Sequence, residues 1–294
     1  MAFVLHAAAQ IARTLGFPGL PVYAKRNLEK LKETFDPNRY RFPSGPERAL
    51  RADYFSPIEL QGGTAEVMTG GVYEQWRATP GGHKWLHYFG IYDSLLGPLR
   101  DRPIRMLEIG VYRGASLKMW RQYFPPETLL VGVDIDPTCQ AFERRDENVF
   151  VRIGSQADEA FLKRVIQEFG PFDVILDDGS HLCSHMIASF RYLFLQALVD
   201  DGLYIAEDTH TNFWPVYRDQ PYSFIDLCKD LVDVMHVHYA LDPAEISYRV
   251  GHVDQAMKLA VPRIAAQIKE ISFHDSIAVI RKKPTGRLPA SQHN

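Results

Sequence analysis

Two pairs of acids stand out because each closes a short apolar run. Residues 172–176 lead into Asp177-Asp178-Gly179-Ser180-His181, and residues 202–206 lead into Glu207-Asp208. If the two runs are neighbouring strands, Asp178, Glu207 and Asp208 meet within a few ångströms, where bare like charges repel and burial adds a further cost. Such a cluster calls for a cation. An all-oxygen set suits Mg²⁺, Mn²⁺ or Ca²⁺, with positions left for water or a substrate hydroxyl. His181, three residues beyond Asp178, can lean over the same pocket, and an imidazole is suited to take a proton from a hydroxyl near neutral pH. The simpler alternative is that acids at strand ends only cap helices or bind ribose. His185 lies one helical turn further on, but the segment is not HExxH, so a structural role is expected for it.

A second constellation lies upstream. Residues 104–111 end in Glu108-Ile-Gly110-Val-Tyr112-Arg-Gly114-Ala-Ser116, an ExGxxxG pattern that lets the chain turn tightly and approach a ligand ahead of a helix N-terminus. Tyr112 stands where a dinucleotide fingerprint would carry its second glycine, which argues against a nicotinamide cofactor. The next run, 129–134, stops on Asp134, 24 residues after Gly110. That is close to the offset of about 20 at which a carboxylate holds ribose hydroxyls. Asp136, before Pro137, is the alternative acid and is expected to cap a turn. The third run stops at Gly154-Ser155-Gln156, small and polar residues suited to meeting an adenine ring, although Ser155 and Asp158 can equally cap the following helix. An aromatic-rich stretch, Phe213, Trp214, Tyr217 and Tyr222, follows the second acid pair; it suits stacking on a sugar or packing its own loop.

These residues need a frame. The runs 104–111, 129–135, 149–153, 172–176 and 202–206 are apolar without alternation, and 116–123, 158–169 and 180–198 between them read as helices. Strands buried on both faces and alternating with helices mean parallel crossovers, a doubly wound α/β sheet with its ligands beyond the carboxyl ends of the strands. Two further strands are expected around 234–238 and 271–281, with helix-prone pieces at 21–35 and 57–68. The chain has 294 residues, 46% hydrophobic and 23% charged, with 33 basic against 36 acidic residues. That composition excludes disorder and coiled coil, and the slight negative charge gives no reason to expect nucleic acid. Three widely spaced cysteines offer neither a disulfide framework nor a zinc motif, which fits a cytoplasmic protein. The apolar opening residues lack a basic leader and are expected to form a packed helix that favours homo-oligomer formation; no stretch is long enough to insert in a membrane.

The stretches His83-Lys-Trp-Leu-His-Tyr88, Met106 to Trp120, Gly132-Val-Asp-Ile-Asp136, Gly154-Ser-Gln156, Gly170 to His181, Ala206-Glu-Asp-Thr-His-Thr211 and Ile271 to Ile280 together resemble the class I S-adenosylmethionine-dependent methyltransferases. More narrowly they resemble the metal-dependent macrocin and mycinamicin sugar O-methyltransferases and the related cephalosporin hydroxylase-like group. The resemblance implies a Rossmann-like sheet of seven mostly parallel strands over residues 76–284. Residues 1–75 would form a mainly helical extension for acceptor binding or oligomerisation, and 285–294 a tail. It implies S-adenosylmethionine held by Glu108, Gly110, Tyr112, Gly114, Ser116, Asp134, Ser155, Gln156 and Asp177. Asp178, Glu207 and Asp208 would hold Mg²⁺ or Mn²⁺, and His181 would be the general base. Lys84, His87 and Tyr88 would help to close the cofactor site, and Phe273 to Ser276 would belong to an antiparallel last strand. The activity implied is O-methylation of a sugar or glycosylated small molecule. A metal-independent methyltransferase and a non-catalytic nucleoside-binding partner of a biosynthetic enzyme are the alternatives.

Overall fold

A computed structural model describes residues 70–237 and 262–284. By contacts the chain divides into Met1–Thr64 and Ala65–Asn294, and every described residue belongs to the second unit. The expected pieces at 21–35 and 57–68 lie outside the described residues.

The expected alternation is present: β1 (Arg105–Ile109), α3 (Ala115–Tyr123), β2 (Leu129–Asp134), β3 (Val149–Ile153), α4 (Glu159–Phe169), β4 (Phe172–Asp177), α5 (Cys183–Gln196) and β5 (Leu198–Ala206). Two helices precede it, α1 (Gly71–Arg77) and α2 (Tyr88–Leu96), and α6 (Phe224–His236), β6 (Ile268–His274) and β7 (Ile277–Lys282) follow. The seven strands are ordered β3-β2-β1-β4-β5-β7-β6, with β1 to β5 parallel to one another and β7 antiparallel to both β5 and β6. Apolar side chains leave both sheet faces and build two cores. One joins Tyr88, Tyr92, Leu117 and Trp120 of α2 and α3 to one face, and the other joins Leu162, Phe190, Phe194 and Phe224 of α4, α5 and α6 to the opposite face. This two-sided burial is why the strands read as unbroken apolar runs.

Two expectations are corrected here. Of the strand expected around 234–238, residues 234–236 are instead the end of α6, and 238 lies outside the described residues. Ser223 caps that helix reciprocally with Asp226, and Phe224, Cys228 and Leu231 recur at helical spacing and are buried. The cap and the spacing outweigh the local β-branched run. Residues 271–281 are not one strand but parts of two, because the chain reverses at Asp275-Ser276, where Ser276 has φ 66°. Phe273 and His274 close β6, and Ser276 belongs to the turn.

Candidate active site

The register of β4 against β5 explains why the acids meet. Leu176 pairs with Ile205 and Asp177 with Ala206, so both strands reach the carboxyl edge together. The Glu207 amide continues the ladder by donating to the Asp177 carbonyl at 2.9 Å. Asp178, Glu207 and Asp208 thereby arrive side by side. Asp177, one residue earlier, is turned inward and buried, where it accepts hydrogen bonds from Ser189 Oγ (2.7 Å), Tyr204 OH (2.7 Å) and Gln156 Nε2 (3.0 Å). Burial pushes its carboxyl upward, and these three donors oppose the shift. Gln156 spends its other end on the Ser180 amide at 2.8 Å. Asp177 and Gln156 thereby tie the 178–181 turn to the end of β4.

The acids divide into an inner and an outer half. In the inner half, Lys84 Nζ donates to Asp178 Oδ2 at 2.5 Å and also to Glu207 Oε2, while Tyr92 OH donates to Glu207 Oε1. The Lys84 side chain is 5% exposed and that of Glu207 is 1%. Burial alone would lower the Lys84 pKa, but Asp178 and Glu207 reverse this and hold the ammonium charged. Burial and the neighbouring Asp178 push Glu207 up, against the pull of Lys84.

In the outer half, His181 Nε2 lies 3.8 Å from Asp178 Oδ1 and 3.7 Å from Asp208 Oδ2, with side-chain exposures of 18–25%. One ligand atom from each of Asp178, His181 and Asp208 falls within 4.8 Å of the others, a spacing able to enclose a cation. Tyr88 OH donates to Asp208 Oδ1 at 2.5 Å and lies 2.8 Å from Ser276 Oγ, so α2 and the β6–β7 turn orient that carboxylate together. His181 Nδ1 is buried without a partner among the described residues. The ring is held instead by an edge contact with Tyr217 at 5.9 Å and by a left-handed backbone, φ 57°. Tyr112, His181, Asp208 and Ser276 are four of the six non-glycine residues with positive φ among those described, and all four lie on loops at this edge. Such backbone strain concentrates where a site must hold an uncommon geometry.

The glycine loop sits at the end of β1. Asp134 Oδ2 accepts from the Val111 and Tyr112 amides, both at 2.9 Å, and Oδ1 from the Asp136 amide at 2.9 Å, so this carboxylate fixes the loop's position. Gly110, at φ 97°, is needed for packing: a Cβ there would lie 2.0 Å from the Asp178 carbonyl oxygen. Gly114, at φ 70°, faces the Phe142 ring. Glu108 is buried, and its carboxyl is pushed up to about 7 chiefly by that burial. Trp120 Nε1 approaches Glu108 Oε1 at 3.4 Å and Ser116 also bonds this carboxylate, yet Oε2 has no partner among the described residues. A buried acceptor left open suits a cationic ligand group such as the ammonium of an amino acid. Asp136 caps a turn through Thr138, and Asp158 caps α4, as their contexts imply. Ser155 Oγ accepts from the Ala157 amide at 3.2 Å. His185 Nδ1 lies 2.9 Å from Ser180 Oγ and is structural.

Sequence reasoning missed Tyr92 and the roles of Tyr88 and Ser276 around the acids. Lys84, Tyr88 and Tyr92 recur every four residues, and the last two share one face of α2; that spacing was the available signal. His87 Nε2 meets the Asp275 carbonyl at 3.0 Å, outside the acid cluster.

No family model matches the chain. It is 33% identical to L-olivosyl-oleandolide 3-O-methyltransferase of Streptomyces antibioticus over 284 residues, covering 82% of this chain and 72% of that protein. It is 34% identical to mycinamicin VI 2''-O-methyltransferase of Micromonospora griseorubida, covering 58% of this chain and 45% of the relative. Among solved structures, the MycE methyltransferase of the mycinamycin biosynthetic pathway, in complex with Mg and SAH, aligns with a TM-score of 0.61 at 26% identity, over 76% of this chain and 56% of that one. The chain thus spans most of the first relative and about half of the other two.

Proposed function

This chain belongs to the sugar O-methyltransferases of macrolide and tetracenomycin pathways, and from that membership we propose that it transfers a methyl group from S-adenosylmethionine to a sugar hydroxyl of a glycosylated small molecule, with Mg²⁺ or Mn²⁺ at the carboxyl edge of β4 and β5. The observation that carries this reading is the outer half of the acid cluster, where two carboxylates and an imidazole face one another beside the glycine loop. When bound, S-adenosylmethionine supplies an activated methyl group and the divalent ion supplies positive charge beside the acceptor oxygen.

The protein's own work is positioning and proton transfer. Asp178 and Asp208 would hold the ion, and Glu207 would add negative charge behind them. His181 Nε2 takes the proton of the acceptor hydroxyl as its oxygen bonds to the methyl carbon and the methyl–sulfur bond breaks, releasing S-adenosylhomocysteine. Glu108 receives the cofactor's ammonium, and Asp134 holds the loop that meets the nucleoside. Residues 1–75 would serve acceptor binding or self-association.

The test is methyl transfer from labelled S-adenosylmethionine to mycinamicin VI and, separately, to rhamnosylated or olivosylated acceptors. Turnover abolished by chelator and restored by Mg²⁺ or Mn²⁺ supports the reading. Turnover indifferent to chelator would transfer it to a metal-independent mechanism. Cofactor binding without turnover of any acceptor would favour a non-catalytic nucleoside-binding protein. No described helix is long and apolar enough to cross a membrane.

A further inference from the structure

Asp178 is shared between the two halves of the cluster. Its Oδ2 accepts from the buried Lys84 ammonium at 2.5 Å, and its Oδ1 faces His181 Nε2 and, beyond it, Asp208. Lys84 also engages Glu207, whose second oxygen is taken by Tyr92. One positive side chain thus sits permanently against two of the acids that would attract a divalent ion. We infer that Lys84 is a resident cation that holds the acid cluster together before the ion arrives and weakens the ion's binding, keeping the metal exchangeable. The inference rests on the metal reading above.

Two consequences are opposite in sign, which makes the idea testable. Without Lys84, the carboxylates of Asp178 and Glu207 lose their counter-charge, and the metal-free protein is destabilised because buried like charges face one another. The same loss removes a like charge from beside the ion, so the ion binds more tightly. A lysine that served only to fill space or brace the loop would lower stability without strengthening metal binding.

The experiment is Mn²⁺ titration of the full chain by calorimetry and electron paramagnetic resonance, with melting temperature measured in chelator and in Mn²⁺. We expect Lys84→Met to bind Mn²⁺ at least tenfold more tightly than wild type, about 1.4 kcal/mol. It should melt lower in chelator and gain more from the ion than wild type does. Lys84→Arg, which keeps the charge, should bind Mn²⁺ within threefold of wild type. Should Lys84→Met need the ion to fold, the double variant Lys84→Met/Glu207→Gln removes the ammonium together with one of its carboxylates. It should fold in chelator with Mn²⁺ affinity again near wild type. If wild type binds Mn²⁺ and Lys84→Met binds it equally or more weakly, the inference fails while the metal reading stands. If neither protein binds Mn²⁺, both fail.

Discussion

The two ends of the sheet's carboxyl edge satisfy their acids in different ways. At the β1–β2–β3 end, the loop carboxylates Asp134, Asp136 and Asp158 are met by backbone amides close by in the chain. Asp136 and Asp158 accept from amides two residues on, and Asp134 reaches back only 22 and 23 residues. At the β4–β5 end Asp178, Glu207 and Asp208 are met by side chains from far upstream. Lys84 is 94 residues from Asp178 and 123 from Glu207, Tyr92 is 115 from Glu207, and Tyr88 is 120 from Asp208. The first end is a set of loops fixed by their own acids. The second is a charge cluster assembled by tertiary structure, with a histidine and two carboxylates left facing one another for chemistry.

That contrast predicts catalysis lost at one end and cofactor lost at the other. The largest effect should be His181→Ala, with kcat reduced about 10²–10⁴-fold, the range for a general base, and S-adenosylhomocysteine affinity by calorimetry unchanged. A His181→Ala enzyme with wild-type kcat at saturating cofactor would remove the distinction between the two ends. Next comes Asp134→Ala. The carboxylate holds three amides of the loops beside the cofactor, and hydrogen bonds to a charged group are worth about 1.5–3 kcal/mol each, so affinity for S-adenosylhomocysteine should fall about 10–100-fold. Binding of Mn²⁺ should stay at the wild-type value. A loss of metal affinity in this variant would mean that the two ends are one unit.

How much of this was legible in the sequence follows the same division. Strand ends and their acids are local signals: β3 runs over 149–153, as expected from its apolar run, and Asp136 and Asp158 cap as their contexts imply. The identities of Asp178, His181, Glu207 and Asp208 were also legible, since each follows an apolar run. What surrounds them was not, because no pattern within one segment says that residues 84–92 cross the ends of strands about a hundred residues later. The glycines were legible in type, and the structure adds a packing reason for one of them, since a Cβ on Gly110 would strike the backbone of Asp178. The end of α6 misled because its Val-Met-His-Val-His stretch has strand-like composition, while the cap that fixes the helix lies at Ser223.

A smaller effect sharpens the comparison within the second end. Tyr88→Phe deletes the donor to Asp208 Oδ1 while leaving the ring packed, and removing a partner that orients a metal ligand typically costs about 10–100-fold in affinity. We expect the low end of that range for Mn²⁺, because the ring at position 88 stays buried and α2 keeps its place. Cofactor affinity should not change. An unchanged Mn²⁺ affinity would mean that Asp208 needs no help from α2 and that the long-range partners matter only on the Lys84 side.

The smallest effect is the control that separates both ends from the scaffold. Ser223 caps α6 through the Asp226 amide, away from the acid cluster, and Asp226 returns the bond to the Ser223 amide at 3.0 Å. Ser223→Ala leaves the Asp226 side of the box and removes one cap, which costs about 1 kcal/mol and should lower the melting temperature by about 2–4 °C. Because α6 packs its Phe224 into the core opposite Tyr88 and Trp120, and its tie to the loop after Asp208 runs from the Ile225 amide to Asn212 Oδ1 at 3.0 Å and not through the Ser223 side chain, kcat and Mn²⁺ affinity should both stay at wild-type values. A drop in Mn²⁺ affinity would instead show that the loop from Thr209 to Ser223 carries strain from this helix to Asp208, making the cap part of the site.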